Sequence, residues 1–171
     1  FQVFKEINVV PISISYEYDP TDVLKMPELL AKSRDEKYVK SENEDFLNLL
    51  RGIMGTKKRI HIEVNGLLTK EIDDISKSDV NLSDKLSLLA DVIDQKIWDG
   101  YKLWPSNYIA HDLIHEDSKY SKFYTEEEKL TFVRRFEEKV SSKDPVVRSN
   151  FLLMYANPVD NKERANPKTF A

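Results

Sequence analysis

Two histidines have a spacing that could support chemistry. His111 and His115 in "HDLIH" are four residues apart, so they share one face if the segment is helical, with Asp112 and Glu116 beside them. Two imidazoles and a carboxylate could bind zinc. The segment lacks the glutamate placement of the His-Glu-x-x-His motif, and the sequence assigns no third ligand. We therefore predict no metal site and interpret the segment as the polar face of an amphipathic helix.

Other catalytic patterns are missing from the sequence. The chain contains no cysteine, which excludes disulfides and thiolate nucleophiles. It has no Gly-x-Ser-x-Gly element, and its glycines are too few and too scattered to form a phosphate-binding loop: Gly52, Gly55, Gly66 and Gly100. We predict no catalytic residue and no cofactor for the chain as it stands.

A short basic cluster is the one candidate for binding an anion. Lys57, Lys58 and Arg59 lie close to Gly55 in the segment "GTKKR". Such residues could contact a phosphate or an anionic membrane surface, where each charge contributes about 1 kcal/mol. The alternative is a solvated loop that precedes a strand.

Length, charge and hydropathy limit the classes of protein and partner that the sequence allows. The 171 residues suit one domain, or one compact domain with an appendage. The net charge of −4 argues against a general polyanion binder, so we predict no nucleic-acid partner. No apolar run approaches the roughly 20 residues that span a bilayer. The sequence begins with Phe1 rather than Met, and we expect a fragment or a processed product.

Two strands must position any site in the first part of the chain. Alternating apolar and polar residues predict a strand over residues 7–18, and "RIHIEV" at 59–64 predicts the clearest strand. Pro11 lies within the first strand. Because proline donates no hydrogen bond to a ladder, it suits the start of a strand, an edge or a bulge.

Helices account for most of the remaining sequence. We predict a helix from Thr21 or Asp22 through Leu30, interrupted by Pro27, and five further helices. The first of these ends at Gly55, and the second runs from Asn81 to Gly100. The third starts at Pro105, and the fourth starts at the capping box of Thr125 and Glu128. The last starts at Asp144-Pro145 and ends near Asn157-Pro158. The fold class predicted is α/β, a partial mixed sheet with few strands plus a helical C-terminal region.

Three stretches carry a resemblance to a known family. The segment "VVPISISYEYDP" resembles the fourth conserved block of the glycerolphosphate and lysophosphatidate acyltransferases, with Val10-Pro11-Ile12 in place of the family's Val-Pro-Val. The segments "YEYDPTD", "GTKKRIHIEV" and "YKLWPSNYIA" resemble a bacterial branch with a helical C-terminal extension. The resemblance implies that residues 1–80 are the C-terminal part of the acyltransferase domain, 81–157 the extension and 158–171 a polar tail.

The family's catalytic motif is absent. These enzymes use His-x-x-x-x-Asp, in which histidine is the base and aspartate orients it. The residues five positions after the three histidines are Gly66, Glu116 and Tyr120, and the family's Phe-Pro-Glu-Gly block is also missing. Both blocks normally precede the Val-Pro strand. The resemblance therefore implies a fragment without the catalytic half.

The expected function follows from this resemblance. The whole enzyme would transfer an acyl chain from acyl-CoA or acyl-carrier protein to a glycerophospholipid hydroxyl, by general-base attack on the thioester. The resemblance places Val10, Pro11 and Ile12 at the cleft wall or near the acyl chain. With the basic cluster they form the predicted substrate-binding set. We expect a cytoplasmic protein with peripheral contact at the inner face of the membrane.

Two further expectations concern partners. A truncated α/β unit exposes strand edges and apolar surface, so we expect the fragment to form a homodimer or to exchange strands. The alternative function, from a different class, is a non-catalytic helical module that binds a protein through the surface of residues 81–157.

Overall fold

The computed structural model describes residues 1–140 and 142–166. The protein is predominantly helical and contains a two-stranded antiparallel sheet. The chain divides into two compact units. The first comprises residues 1–15, 61–102 and, of the described C-terminal residues, 161–166; the second comprises residues 16–60 and 103–160.

Eight helices and two strands follow one another along the described residues. A single 3₁₀ turn, Ser121–Phe123, lies between α6 and α7. The elements are α1 Gln2–Glu6, β1 Ile12–Tyr16, α2 Met26–Ser33, α3 Glu44–Met54, β2 Ile60–Val64, α4 Thr69–Lys77, α5 Leu82–Gly100, α6 Pro105–His115, α7 Glu126–Lys139 and α8 Pro145–Ala165.

The second unit has an aromatic core built by α6, α7 and α8. Phe132 and Phe151 are completely enclosed, and Tyr155 packs its ring against both of them, with centroids 5.3 and 5.4 Å away. Aromatic pairs at such distances add about 0.5–1.5 kcal/mol to their burial. Ile109 and Ala110 of α6 complete the centre of this core.

The first unit has a smaller aliphatic core. Leu68 and Ile72 are its most enclosed side chains, and Ile75 of α4 and Leu89 of α5 join them. The rings of Phe1 and Phe4 pack against these residues. The short α1 therefore belongs to this core.

Local signals for helix ends are confirmed. Asn81 caps α5 by accepting a hydrogen bond from the Asp84 amide, and α6 begins at Pro105. Thr125 and Glu128 form the predicted capping box of α7. Each of these signals depends on contacts within one turn, which is why the sequence alone suffices to identify them.

The first strand is shorter than predicted. β1 begins at Ile12, directly after Pro11, so the proline stands at the start of the strand as its chemistry requires. Residues 7–11 are not a strand. Asn8 has a φ of 45°, which breaks an extended chain, and α1 precedes it.

Two helix boundaries also differ from the prediction. No helix starts at Thr21 or Asp22; α2 begins at Met26 and carries Pro27 in its first turn, where a missing amide is harmless. The last helix does not end near Pro158, because α8 continues to Ala165 with Pro158 inside it. An internal proline costs about 3 kcal/mol. The complete burial of Val159 supplies a compensating gain that the local sequence does not reveal. Of the predicted polar tail, residues 167–171 lie outside the described residues.

The position of Phe132 in the core predicts how side-chain truncation on α7 changes the stability of the protein. We expect Phe132→Ala to lower the free energy of unfolding by about 3–5 kcal/mol, because it leaves a cavity in the aromatic core. Leu130→Ala on the same helix is the matched control, since that side chain is 63% exposed and Phe132 only 1%. Urea unfolding followed by circular dichroism at 222 nm measures both changes. Equal losses would contradict the assignment.

Candidate functional site

In the first unit, β1 buries its polar side chains. Ser13 and Ser15 of β1 are enclosed, and the Ser13 hydroxyl donates to the Ile97 carbonyl of α5 at 2.6 Å. The C-terminal end of α5 lies directly on this side. A Cβ atom at Gly100 would lie 2.9 Å from Ser13 Oγ and 2.8 Å from Glu63 Cγ, so glycine permits the close approach.

The opposite side of these strands is apolar and exposed. The amide of Asn65 donates to the Pro11 carbonyl at 3.0 Å, a register that sets Ile12 opposite Val64 and Ile14 opposite Ile62. All four side chains are open to solvent, Val64 to 63%. We call these four residues the strand patch. A sheet usually buries its apolar side, whereas in this structure the apolar side of the two strands faces solvent.

The second unit also exposes an apolar helix face. None of the residues of α3 is buried, although the helix is strongly amphipathic. Six large apolar side chains are exposed: Phe46, Leu47, Leu49, Leu50, Ile53 and Met54. We call this set the α3 face.

A cavity lies beside the α3 face, within the second unit. Its volume is about 390 Å³, and its apolar lining comes from Pro20, Val23, Leu24, Leu50 and Met54. The rest of the lining comes from Gly55, the acidic residue Asp22 and two cationic residues, Arg51 and Lys139. The sequence did not predict this cavity, because its lining comes from three separated stretches that only the fold brings together.

A buried carboxylate organises the predicted basic cluster. The Glu17 side chain is 2% exposed, and it pairs with Lys58 Nζ at 2.8 Å and with Arg59 Nε at 2.6 Å. Arg59 Nη2 donates a further hydrogen bond to Glu17 Oε1 at 3.0 Å, which makes the contact bidentate. Burial alone raises the pKa of Glu17, but the hydrogen bonds and charges of Arg59 and Lys58 outweigh it, so its pKa is lowered.

The three residues of the basic cluster therefore already bind partners within the protein. Lys57 donates to the Ile53 and Gly55 carbonyls at 2.8 and 3.1 Å, at the C-terminal end of α3. Lys58 and Arg59 keep 40% and 48% of their side chains exposed, so each can still reach a ligand from the solvent side. A phosphate at this position would share these cations with Glu17.

The three stretches that carry the family resemblance meet at Glu17. The residue itself belongs to "YEYDPTD", and its carboxylate binds two residues of "GTKKRIHIEV". Its carbonyl accepts a hydrogen bond of 2.6 Å from the Ser106 hydroxyl of "YKLWPSNYIA". The Arg59 guanidinium also lies over the Trp104 ring, 5.0 Å from its centroid. Stretches that are far apart in sequence therefore form one polar cluster in the second unit.

A second buried polar cluster surrounds Asp22, which follows Glu17 closely in the sequence. The Asp22 carboxylate accepts a hydrogen bond from the Tyr155 hydroxyl at 2.7 Å and pairs with Arg135 at 2.5 Å. The Tyr155 hydroxyl in turn accepts from the Asp19 amide at 3.1 Å. Burial, followed by the charge of Asp22, raises the pKa of Tyr155 far above its ordinary value. These groups are paired in the core, which indicates a structural role.

The predicted substrate-binding residues fall into both units. Val10, Pro11 and Ile12 belong to the first unit, where Val10 and Ile12 are exposed and Pro11 is buried. Lys57, Lys58 and Arg59 belong to the second unit. Their joint role in substrate binding stays a prediction.

Comparisons with known proteins add no assignment. No protein-family profile, curated protein or solved structure matches this chain. None of the helices in the described part of the chain has the length and apolarity needed to cross a membrane.

The Glu17 cluster predicts a pH-dependent loss of stability. In the folded state the pKa of Glu17 lies below its ordinary value of 4.5, so its carboxylate contributes stability above that pH. This contribution disappears as the pH falls through the folded-state pKa. At pH 7 we expect Glu17→Gln to lower the free energy of unfolding by about 1–3 kcal/mol, because charged hydrogen bonds are lost.

The control for this prediction is Glu42→Gln, a neutralisation at an exposed loop residue. Urea unfolding of both variants and the unaltered chain at pH 7 and pH 3 measures the difference. We expect the Glu17 effect to shrink markedly at the lower pH. An effect of the same size at both pH values would contradict the ionic role of this carboxylate.

Proposed function

We propose that this chain is the C-terminal part of a glycerolipid acyltransferase, and that the remainder of the catalytic domain covers its strand patch. The complete enzyme transfers an acyl chain from acyl-CoA or acyl-carrier protein to a hydroxyl of a glycerophospholipid. The His-x-x-x-x-Asp pair of the family supplies the general base. The chain contributes the wall of the site and no catalytic group.

The reversed sheet is the observation that carries this proposal. The strand patch presents Ile12, Ile14, Ile62 and Val64 to solvent, and each strand has a single hydrogen-bonded neighbour among the described residues. Free strand edges and an apolar sheet face are the surfaces that an α/β domain buries. In our proposal, β1 and β2 are part of a larger mixed sheet whose other strands come from the catalytic half.

The polar cluster around Glu17 supports the family assignment. A chance resemblance over three short stretches gives no reason for them to meet, yet Glu17 contacts Lys58, Arg59 and Ser106. An arrangement that requires all three stretches at once explains why they occur together in the sequence. In our proposal, the three stretches therefore act together as one structural cluster.

The predicted binding residues acquire roles within this proposal. Val10 and Ile12 are exposed on the first unit, where they can contact an acyl chain, and Pro11, which has no amide hydrogen to donate, directly precedes β1. The exposed portions of Lys58 and Arg59 can bind the acceptor phosphate. The α3 face supports peripheral contact with the cytoplasmic surface of the membrane, because exposed apolar residues on an amphipathic helix insert at the headgroup boundary.

A non-catalytic binding module is the second candidate. Leu82 and Leu86 on α5 are exposed, and Leu130 on α7 is exposed as well. In this alternative a protein partner binds within the surface of residues 81–157, on α5 of the first unit or on α7 of the second. The coding frame upstream of Phe1 distinguishes the two functions. A His-x-x-x-x-Asp followed by Phe-Pro-Glu-Gly supports the acyltransferase, and an adjacent start codon supports the module.

Activity measurements test the proposal directly. We expect the chain alone to release no CoA from acyl-CoA in the presence of a lysophosphatidate acceptor, because it lacks the general base. The protein expressed from the complete coding frame should catalyse this transfer. Acyl transfer by the chain alone would contradict the proposal, as would an inactive full-length protein that is folded and contains the motif.

Self-association is a second test. We expect the chain to dimerise in a concentration-dependent manner, because the strand patch and strand edges are open. The double variant Ile14→Thr and Ile62→Thr should weaken the dimer and keep the strand propensity. Leu130→Gln, which changes an exposed residue of α7, is the control and should dimerise normally. Multi-angle light scattering that shows the unaltered chain to be monomeric at high concentration would count against this prediction.

A further inference from the structure

The fold supplies the third ligand that the sequence did not assign to the histidine pair. His111 and His115 lie one turn apart on α6, with ring centroids 4.3 Å from each other. Asp160 of α8 approaches them, and its Oδ1 lies 3.3 Å from His111 Nε2. One ligand atom from each of the three residues lies within 4.8 Å of the other two. All three residues belong to the second unit.

These distances suit a tetrahedral metal ion. Ligand atoms about 2.1 Å from a zinc ion stand about 3.4 Å from one another in a tetrahedron. The separation of 3.3 Å between His111 Nε2 and Asp160 Oδ1 already matches such an edge. His115 is exposed, so its ring can rotate to close the remaining distance without disturbing the core.

The state of His111 provides independent support. Its side chain is 6% exposed, and its Nδ1 atom has no hydrogen-bond partner among the described residues. If Nε2 carries the proton and donates to Asp160, Nδ1 holds a buried lone pair 3.9 Å from the Asp112 carboxylate. A buried nitrogen without a partner is unfavourable, and here its lone pair also faces a negatively charged carboxylate.

Metal binding removes this conflict. With a metal on Nε2, the proton moves to Nδ1 and points toward the Asp112 carboxylate, the arrangement that orients metal-binding imidazoles in proteins. Asp112 is held in place for this role, because it accepts hydrogen bonds from the Tyr124 hydroxyl at 2.8 Å and from the Tyr120 amide at 3.2 Å. Asp112 is therefore held beside His111, with its carboxylate 3.9 Å from the Nδ1 atom.

We propose that His111, His115 and Asp160 bind a zinc ion that links α6 to α8. Two imidazoles and one carboxylate form a donor set that suits zinc, and the exposed side of His115 leaves the fourth position for water. This site is independent of the proposed acyltransferase function. It fastens the end of α6 to the helix that carries Pro158, and binding should stabilise the second unit.

Zinc titration of the metal-free chain tests this inference. The full chain is stripped with a chelator, and zinc is added in a non-coordinating buffer in competition with a chromogenic chelator. We expect saturation at one equivalent and a rise in melting temperature with zinc concentration. The variants His115→Ala and Asp160→Asn should each lose about tenfold or more in affinity. Both changes lie at accessible positions, and circular dichroism verifies that the variants are folded.

His61→Ala is the matched control, because this histidine lies on β2 in the first unit and should not affect binding. Absence of saturable binding by the unaltered chain would overturn the inference. It would also be overturned if folded His115→Ala and Asp160→Asn bound zinc as tightly as the unaltered chain. Neither result depends on whether the longer protein transfers acyl groups.

Discussion

Burial of the Glu17 carboxylate is the constraint on which the second unit depends. An ionised carboxylate removed from water requires charged partners, and Lys58 and Arg59 are the two that the sequence supplies. This requirement fixes the loop before β2 against the end of β1. The Glu17 carbonyl also holds the start of α6 through Ser106, so a single residue joins three separated stretches. The basic cluster is consequently part of the scaffold as well as a candidate anion site.

The two units share a second property, which is apolar surface without a cover. In the first unit the strand patch faces solvent and the serines of β1 face the core. In the second unit α3 buries none of its residues. Scattered exposed apolar residues are normal in proteins, but complete faces of regular elements indicate contact surfaces. The acyltransferase proposal accounts for both, one as an interface within the catalytic domain and the other as a membrane contact.

Features governed by local chemistry could be predicted from the sequence. The cap at Asn81, the box at Thr125 and the position of Pro11 before β1 depend on neighbours in the chain. Features governed by packing could not be predicted from the sequence. The continuation of α8 through Pro158 depends on burial of a later residue, and the approach of Asp160 to the histidines depends on how two helices meet. The alternation of β1 predicts two faces but does not determine which of them the fold buries.

Our central proposal is that a further segment of the same protein covers the strand patch. Hydrogen–deuterium exchange of β1 and β2 tests it most directly, measured in this chain and in the protein encoded by the complete reading frame. Our account predicts that amides of Ile12–Tyr16 and Ile60–Val64 exchange at least about tenfold more slowly in the longer protein, because their free edges become paired. Amides in the core of α6 should exchange equally in both. Unchanged rates in β1 and β2 would contradict the account.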